Sequence, residues 1–96
     1  MIKHKKIKAG KKYIDAVLIK LSSKNLIVLK GSRGYIMCGY LDLKAANKFK
    51  DAAVKITGVN SIKDALNAEV SALSRYAGKL GIYKGQSVRE VLKIIA

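Results

Sequence analysis

The chain has 96 residues, half of them hydrophobic, and carries 20 Lys+Arg against 6 Asp+Glu for a formal net charge of +14. This length and apolar content predict one domain spanning residues 1–96 with a single core, and exclude a disordered basic tail. One cysteine excludes an internal disulfide, and no apolar run approaches the ~18 residues of a membrane span, so a cytoplasmic protein with no membrane partner is expected.

In chain order, the cations come first. Residues 1–50 hold 13 basic and 2 acidic residues, whereas residues 51–96 hold 7 and 4. The first twelve residues contain Lys3, Lys5, Lys6, Lys8, Lys11 and Lys12 and no acid, which predicts a lysine-rich arm or edge strand at 1–12. Such a field draws in polyanions. Seventeen of the 20 cations are lysine, point charges that suit phosphate contact but lack the bidentate fork of arginine. A solvated, lysine-biased surface is the plainer account of the same composition. No secretory signal is expected, because the segment after the basic N-terminus is broken by Asp15 and Lys20.

"IKHKKIKA" reads as a polar strand joined near Gly10 to the more apolar "KKYIDAVLIKL". There Ile14, Ala16 and Leu18 point one way and Tyr13, Val17, Ile19 and Leu21 the other, which predicts a strand covered on both sides. "LIVLK" and "YIMCGYLD", separated by "GSRG", form a hairpin pattern. Asp42 then caps a helix with Leu43, Ala46 and Phe49 on its inner face. "AAVKITGV" returns to strand character. "SIKD" at Ser61–Asp64 and "SVRE" at Ser87–Glu90 are capping boxes. Between them Val70, Leu73, Ala77 and Leu80 recur at helical spacing up to a stop at Gly81, and Val88, Val91, Leu92 and Ile95 stripe the last helix. The fold class predicted is α+β: two layers, a largely antiparallel sheet with helices packed on one face, and helices mainly in the C-terminal half.

Several groups invite chemistry. "GSRG" is followed by a strand and lacks the Lys-Ser/Thr of a phosphate loop, so Gly31 and Gly34 are read as supplying backbone angles that other residues resist. Arg33, at the tip of that turn, is a candidate phosphate contact. Cys38 is predicted within its strand beside Ile36, where a free cysteine is a small buried hydrophobe; a nucleophile there needs a base, and His4 is the only histidine. Asp42 is a weaker catalytic candidate than a cap. No metal is expected, since one Cys and one His cannot build a zinc site, and no cofactor is expected either. Gly39 suggests a bulge or the close approach of a backbone or ligand. Tyr13, Tyr35, Tyr40, Tyr76 and Tyr83 are read as packing rather than base-stacking residues, in the absence of a ribonucleoprotein motif or helix-turn-helix pattern.

"GYIMCGYLD" at Gly34–Asp42, "TGVNSIKDAL" at Thr57–Leu66 and "GIYKGQSVREVL" at Gly81–Leu92 resemble the YunC-like family of small archaeal and bacillar proteins over roughly residues 26–95. The resemblance implies an α+β two-layer fold without an assigned activity, and a shared core matched here by Gly34, Cys38, Gly39 and Asp42. The lysine-rich first twelve residues lie outside it, and Tyr40 stands where the family often has a small residue. Three functional expectations follow. The charge favours contact with nucleic-acid phosphates or another polyanion, non-specifically or by shape, through Lys3, Lys5, Lys6, Lys8, Lys11, Lys12 and Arg33. A small-molecule or enzymatic site over Gly34–Asp42 using Cys38 is the first alternative, and a homo-oligomeric interaction module the second.

Overall fold

Alternating side chains on either side of Gly10 give the two longest strands, β1 (Ile2–Ala9) and β2 (Lys12–Lys20), paired antiparallel from Ile2–Ile19 to Ala9–Lys12 in a computed structural model that describes residues 2–96. β3 (Asn25–Lys30) and β4 (Tyr35–Met37) follow as the hairpin that the glycine-containing turn predicts. α1 (Leu43–Lys48) then carries the chain to β5 (Ala53–Lys55), and α2 (Ile62–Leu66), β6 (Ala72–Leu73), α3 (Arg75–Lys79) and α4 (Val88–Ile95) complete the chain. The six strands lie in sequence order. All neighbours are antiparallel except β4 and β5, which run parallel because a helix returns the chain to the same end before β5 begins. The sheet is therefore mixed.

The main core joins the inner face of the sheet to α2, α3 and α4. Ile14, Ile27, Leu29, Ile36 and Val54 are at most 1 % exposed and meet Ala65, Ala77 and the full stripe of the last helix, Val88, Val91, Leu92 and Ile95. Each large aliphatic buried in this way contributes roughly 1.5–3 kcal/mol before the entropy of ordering is counted. β4 and β5 alternate, so Tyr35, Met37 and Ala53 point to the opposite face, where they pack with Leu41, Leu43 and Ala46 in a second, smaller cluster. Helices are thus not confined to one face: α1 lies across the sheet from α2 and α4. Phe49, expected on the inner face of α1, is 71 % exposed just past its end.

Two other expectations are corrected. The apolar spacing over Val70–Leu80 does not build one helix. The backbone of residues 70–74 is committed to other partners, with Ser71 N–H donating to Lys55 C=O, Ser74 N–H to Ala53 C=O and Val70 N–H to Gln86 C=O. This segment supplies β5 with a neighbour, and Ser74 caps a new helix whose last turn ends at Gly81 with φ +96°. The second face of β2 is also less covered than its composition suggests. Val17 and Ile19 are only partly buried, and Tyr13 is 60 % exposed. No helix of the described residues is long and apolar enough to cross a membrane.

The "GSRG" turn is held by space rather than backbone angle. Neither Gly31 nor Gly34 has positive φ, but a Cβ on Gly31 would lie 2.2 Å from the Ile95 carbonyl oxygen and one on Gly34 2.4 Å from that of Ala52. Arg33 N–H donates to Ile95 C=O and the Ser32 hydroxyl to Ala96 C=O, so the turn is clamped to the end of α4.

Candidate functional site

The lysine-rich segment is a paired edge strand. Register divides its cations between two faces. Lys3 and Lys5 stand opposite Leu18 and Ala16 on the helix side, whereas Lys6 and Lys8 stand opposite Asp15 and Tyr13 on the other. All six N-terminal lysines are exposed. A strand edge lined with lysine is also the composition that discourages pairing with an identical copy. The β1–β2 and β3–β4 turns lie at the same end of the sheet, since Asp15 near the start of β2 pairs with Lys30 at the end of β3. Lys11, Lys12 and exposed Arg33 therefore share that end. Asp15 is the one acid in the hairpin. It is engaged by His4, whose Nε2 lies 2.9 Å from Oδ1, and this hydrogen bond holds its carboxyl below the usual carboxylate range, aided by Lys6 and Lys30.

Tyr13, read from sequence as packing, projects from this hairpin beside Lys8 with 60 % of its surface exposed. The outward alternation of β2 was the available signal, since it places Tyr13 on the face away from Ile14.

At the opposite end of the sheet the motif residues gather differently. β4 ends at Met37, and Cys38 begins a turn closed by Leu41 N–H donating to Cys38 C=O. Cys38 is thus beyond the strand, 4 % exposed, with its thiol 3.7 Å from the Asn25 carbonyl. Asp42 serves as the cap of α1, accepting from Lys44 and Ala45 N–H at 2.9 and 3.3 Å. Replacing Asp42 by alanine should cost about 1 kcal/mol in chemical denaturation while asparagine is tolerated, because both short polar side chains cap equally well. A large loss with asparagine would show that the charge matters.

A cleft of about 630 Å³ opens beside this turn, lined by Ser23–Asn25, Cys38–Tyr40 and Thr57–Asn60. Two of the stretches that carry the family resemblance therefore meet across one opening. Among the described residues, Lys24 and Tyr40 are the only ionisable side chains lining it besides the thiol, and no carboxylate does. His4 does not join Cys38: it lies on β1, three strands away, about 14 Å at the usual spacing of ~4.8 Å between strands. Among the described residues, no group of three His, Cys, Asp or Glu side chains is placed to hold a metal ion.

A mixed six-stranded α+β domain, with a basic hairpin along one edge and this cleft at the end away from the hairpin's turn, is the class of protein that the geometry defines. The family described as Domain of unknown function (DUF1805) matches residues 37–95. The chain is 37% identical over 81 residues to the uncharacterized protein YunC of Bacillus subtilis (strain 168), covering 80% of each chain. It is also similar, with a TM-score of 0.96 and 36% identity, to the crystal structure of a protein of unknown function, TA1206, from Thermoplasma acidophilum, over 100% of this chain and 94% of that one. The chain belongs to this YunC-like, DUF1805 family. The family match begins at Met37 and so includes the cleft's Cys38–Tyr40 and Thr57–Asn60 but not the basic hairpin.

Proposed function

We propose that the protein binds nucleic-acid phosphates through the β1–β2 hairpin. The observation that supports this most is the concentration of six exposed lysines on one two-stranded ribbon whose only acid is already engaged. Lysines on both faces of an edge strand suit a phosphate backbone that passes around the edge, and this arrangement reads no base sequence. Exposed Tyr13, opposite Lys8 on the outer face, adds a ring on which an unpaired base stacks, a contact worth roughly 1–3 kcal/mol where it forms. The weaker cluster of Lys11, Lys12 and Arg33 extends the same field over the end of the sheet.

The expected result is affinity for duplex and single-stranded DNA that falls steeply with salt, with a log–log slope of about −0.9 per phosphate contact on duplex. A variant with Lys6, Lys8, Lys11 and Lys12 changed to alanine should lose binding and reduce that slope by about 3 to 4. An unchanged slope in the variant, or wild-type affinity indifferent to salt, refutes the hairpin as the contact surface.

The cleft supports a second reading, a small-molecule site. What favours it is that Cys38 and Gly39 share an opening with Thr57–Asn60. Binding is the simpler form of that reading, since neither a histidine nor a carboxylate stands among the described lining residues beside the thiol.

A further inference from the structure

The cleft has a topological cause. β4 and β5 are parallel neighbours, and the chain leaves them in opposite directions: from β4 to α1 on one face, from β5 to α2 on the other. Loops that diverge in this way cannot close over the strand ends, and the crevice left between them is where open sheets with parallel neighbours take their ligands. The volume of about 630 Å³ falls within the ~300–1,000 Å³ typical of small-molecule sites.

Gly39 gives the second observation. Its φ is not positive, and a Cβ there would meet no heavy atom within 4 Å. Gly31 and Gly34, eight and five residues earlier, are glycine because backbone presses against them. Neither backbone conformation nor packing requires glycine at 39, so a side chain there would meet only open space, at a residue that lines the cleft.

Charge and hydrogen bonding set the class of ligand. Among the described residues Lys24 is the only charged side chain lining the cleft, and the two nearest acids in sequence are not among its lining residues and are already engaged: Asp42 accepts from the first turn of α1, and Asp64 from Asn60 N–H at 3.2 Å. The backbone N–H groups of Gly39, Tyr40, Gly58 and Val59 have no acceptor among the described residues. Donors and a cation without a carboxylate suit an oxyanion, and Tyr40, 51 % exposed, offers a ring at the rim.

We propose that this cleft binds a small organic oxyanion, a phosphate or carboxylate carried on a ring of nucleotide size or smaller, and that Gly39 is the residue that keeps it open. This site deepens the second reading of function and is separate from the basic end of the hairpin, whose turn and Lys8, Lys11 and Lys12 lie at the other end of the sheet.

The test is amide NMR titration of the full chain with adenosine 5′-monophosphate, benzoate and inorganic phosphate, with adenosine as the neutral control. Wild type is compared with Gly39→Val, Lys24→Ala and the four-lysine hairpin variant. At least one oxyanion should saturably shift the Gly39, Tyr40, Gly58 and Val59 amides where adenosine does not. Affinity should fall at least tenfold in Gly39→Val and in Lys24→Ala, and hold in the hairpin variant, with the melting temperature of Gly39→Val unchanged. No cleft shift with any anion, an equal shift with adenosine, shifts confined to residues 3–12, or wild-type affinity in both Gly39→Val and Lys24→Ala overturns the proposal. Loss of nucleic-acid binding in the hairpin variant, with cleft shifts intact, separates this site from the phosphate-binding surface.

Discussion

Gly31→Ala is expected to destabilise the protein by about 3 kcal/mol, at the upper end of what overpacking costs. At most glycines with ordinary backbone angles this substitution is neutral or stabilises by roughly 0.4–1 kcal/mol, because it restricts the unfolded chain. Here the added methyl would stand 2.2 Å from the Ile95 carbonyl oxygen, 2.6 Å from its carbon and 2.9 Å from Ala96 N. All three atoms are backbone, so no side chain can rotate out of the way. Relief requires the turn or the end of α4 to move, and either motion breaks the Arg33 N–H bond to Ile95 at 2.8 Å and the Ser32 hydroxyl bond to Ala96 at 3.0 Å. A lower urea midpoint with an unchanged m-value is the expected signature. A midpoint within error of wild type would mean that the turn does not press on α4 as described. Gly39→Ala belongs in the same experiment, since it should leave the midpoint where it is.

The contrast between these glycines marks how far sequence reaches. Period-two alternation, the change of period after Asp42 and the serine capping boxes are local signals, and they locate β1 to β4, α1, the starts of α2 and α4 and the whole buried stripe of the last helix. What a glycine faces is not local: Gly31 meets Ile95 and Ala96 at the far end of the chain, and no turn preference encodes that. The Val70–Leu80 segment fails for the same reason. Apolar residues at helical spacing also fit a short strand followed by a short helix, and the arbiter is the need of β5 for a hydrogen-bonded neighbour, which only the assembled sheet creates. The parallel pairing of β4 with β5 escapes the sequence because a six-residue helix is too weak a crossover signal to separate it from a meander.

The candidate site was legible in part. Cys38 and Gly39 share one stretch of the family resemblance and Thr57–Asn60 lies in another, but nothing in the sequence brings the two stretches to one opening. Cys38 lies beyond β4 rather than within it, 4 % exposed, at the wall of the opening. The cysteine is buried against Asn25, and the neighbouring glycine is the feature that packing leaves without a purpose.

Ser74→Ala is expected to cost about 3 kcal/mol, well beyond the roughly 1 kcal/mol of an ordinary helix cap. Ser74 is 1 % exposed. Its hydroxyl oxygen accepts from Ala77 N–H at 3.3 Å as the cap of α3 and from Ala53 N–H at 2.9 Å, and its proton is donated to Asp51 C=O at 2.7 Å. One donor and two acceptors exhaust what a hydroxyl has. Alanine strips all three partners at once, and the fully buried Ala53 amide at the head of β5 is left without a replacement, as is the Asp51 carbonyl beside it. Ser87, the exposed cap of α4, provides the internal standard: it accepts from Glu90 N–H at 3.3 Å and has no comparable second role. Ser87→Ala should therefore lose about 1 kcal/mol. Hydrogen exchange gives the sharper readout, because the Ala53 amide should lose protection selectively in Ser74→Ala and keep it in Ser87→Ala. Equal destabilisation by the two substitutions, with Ala53 still protected, would reduce Ser74 to a cap and leave β5 held in register by its strand neighbours alone.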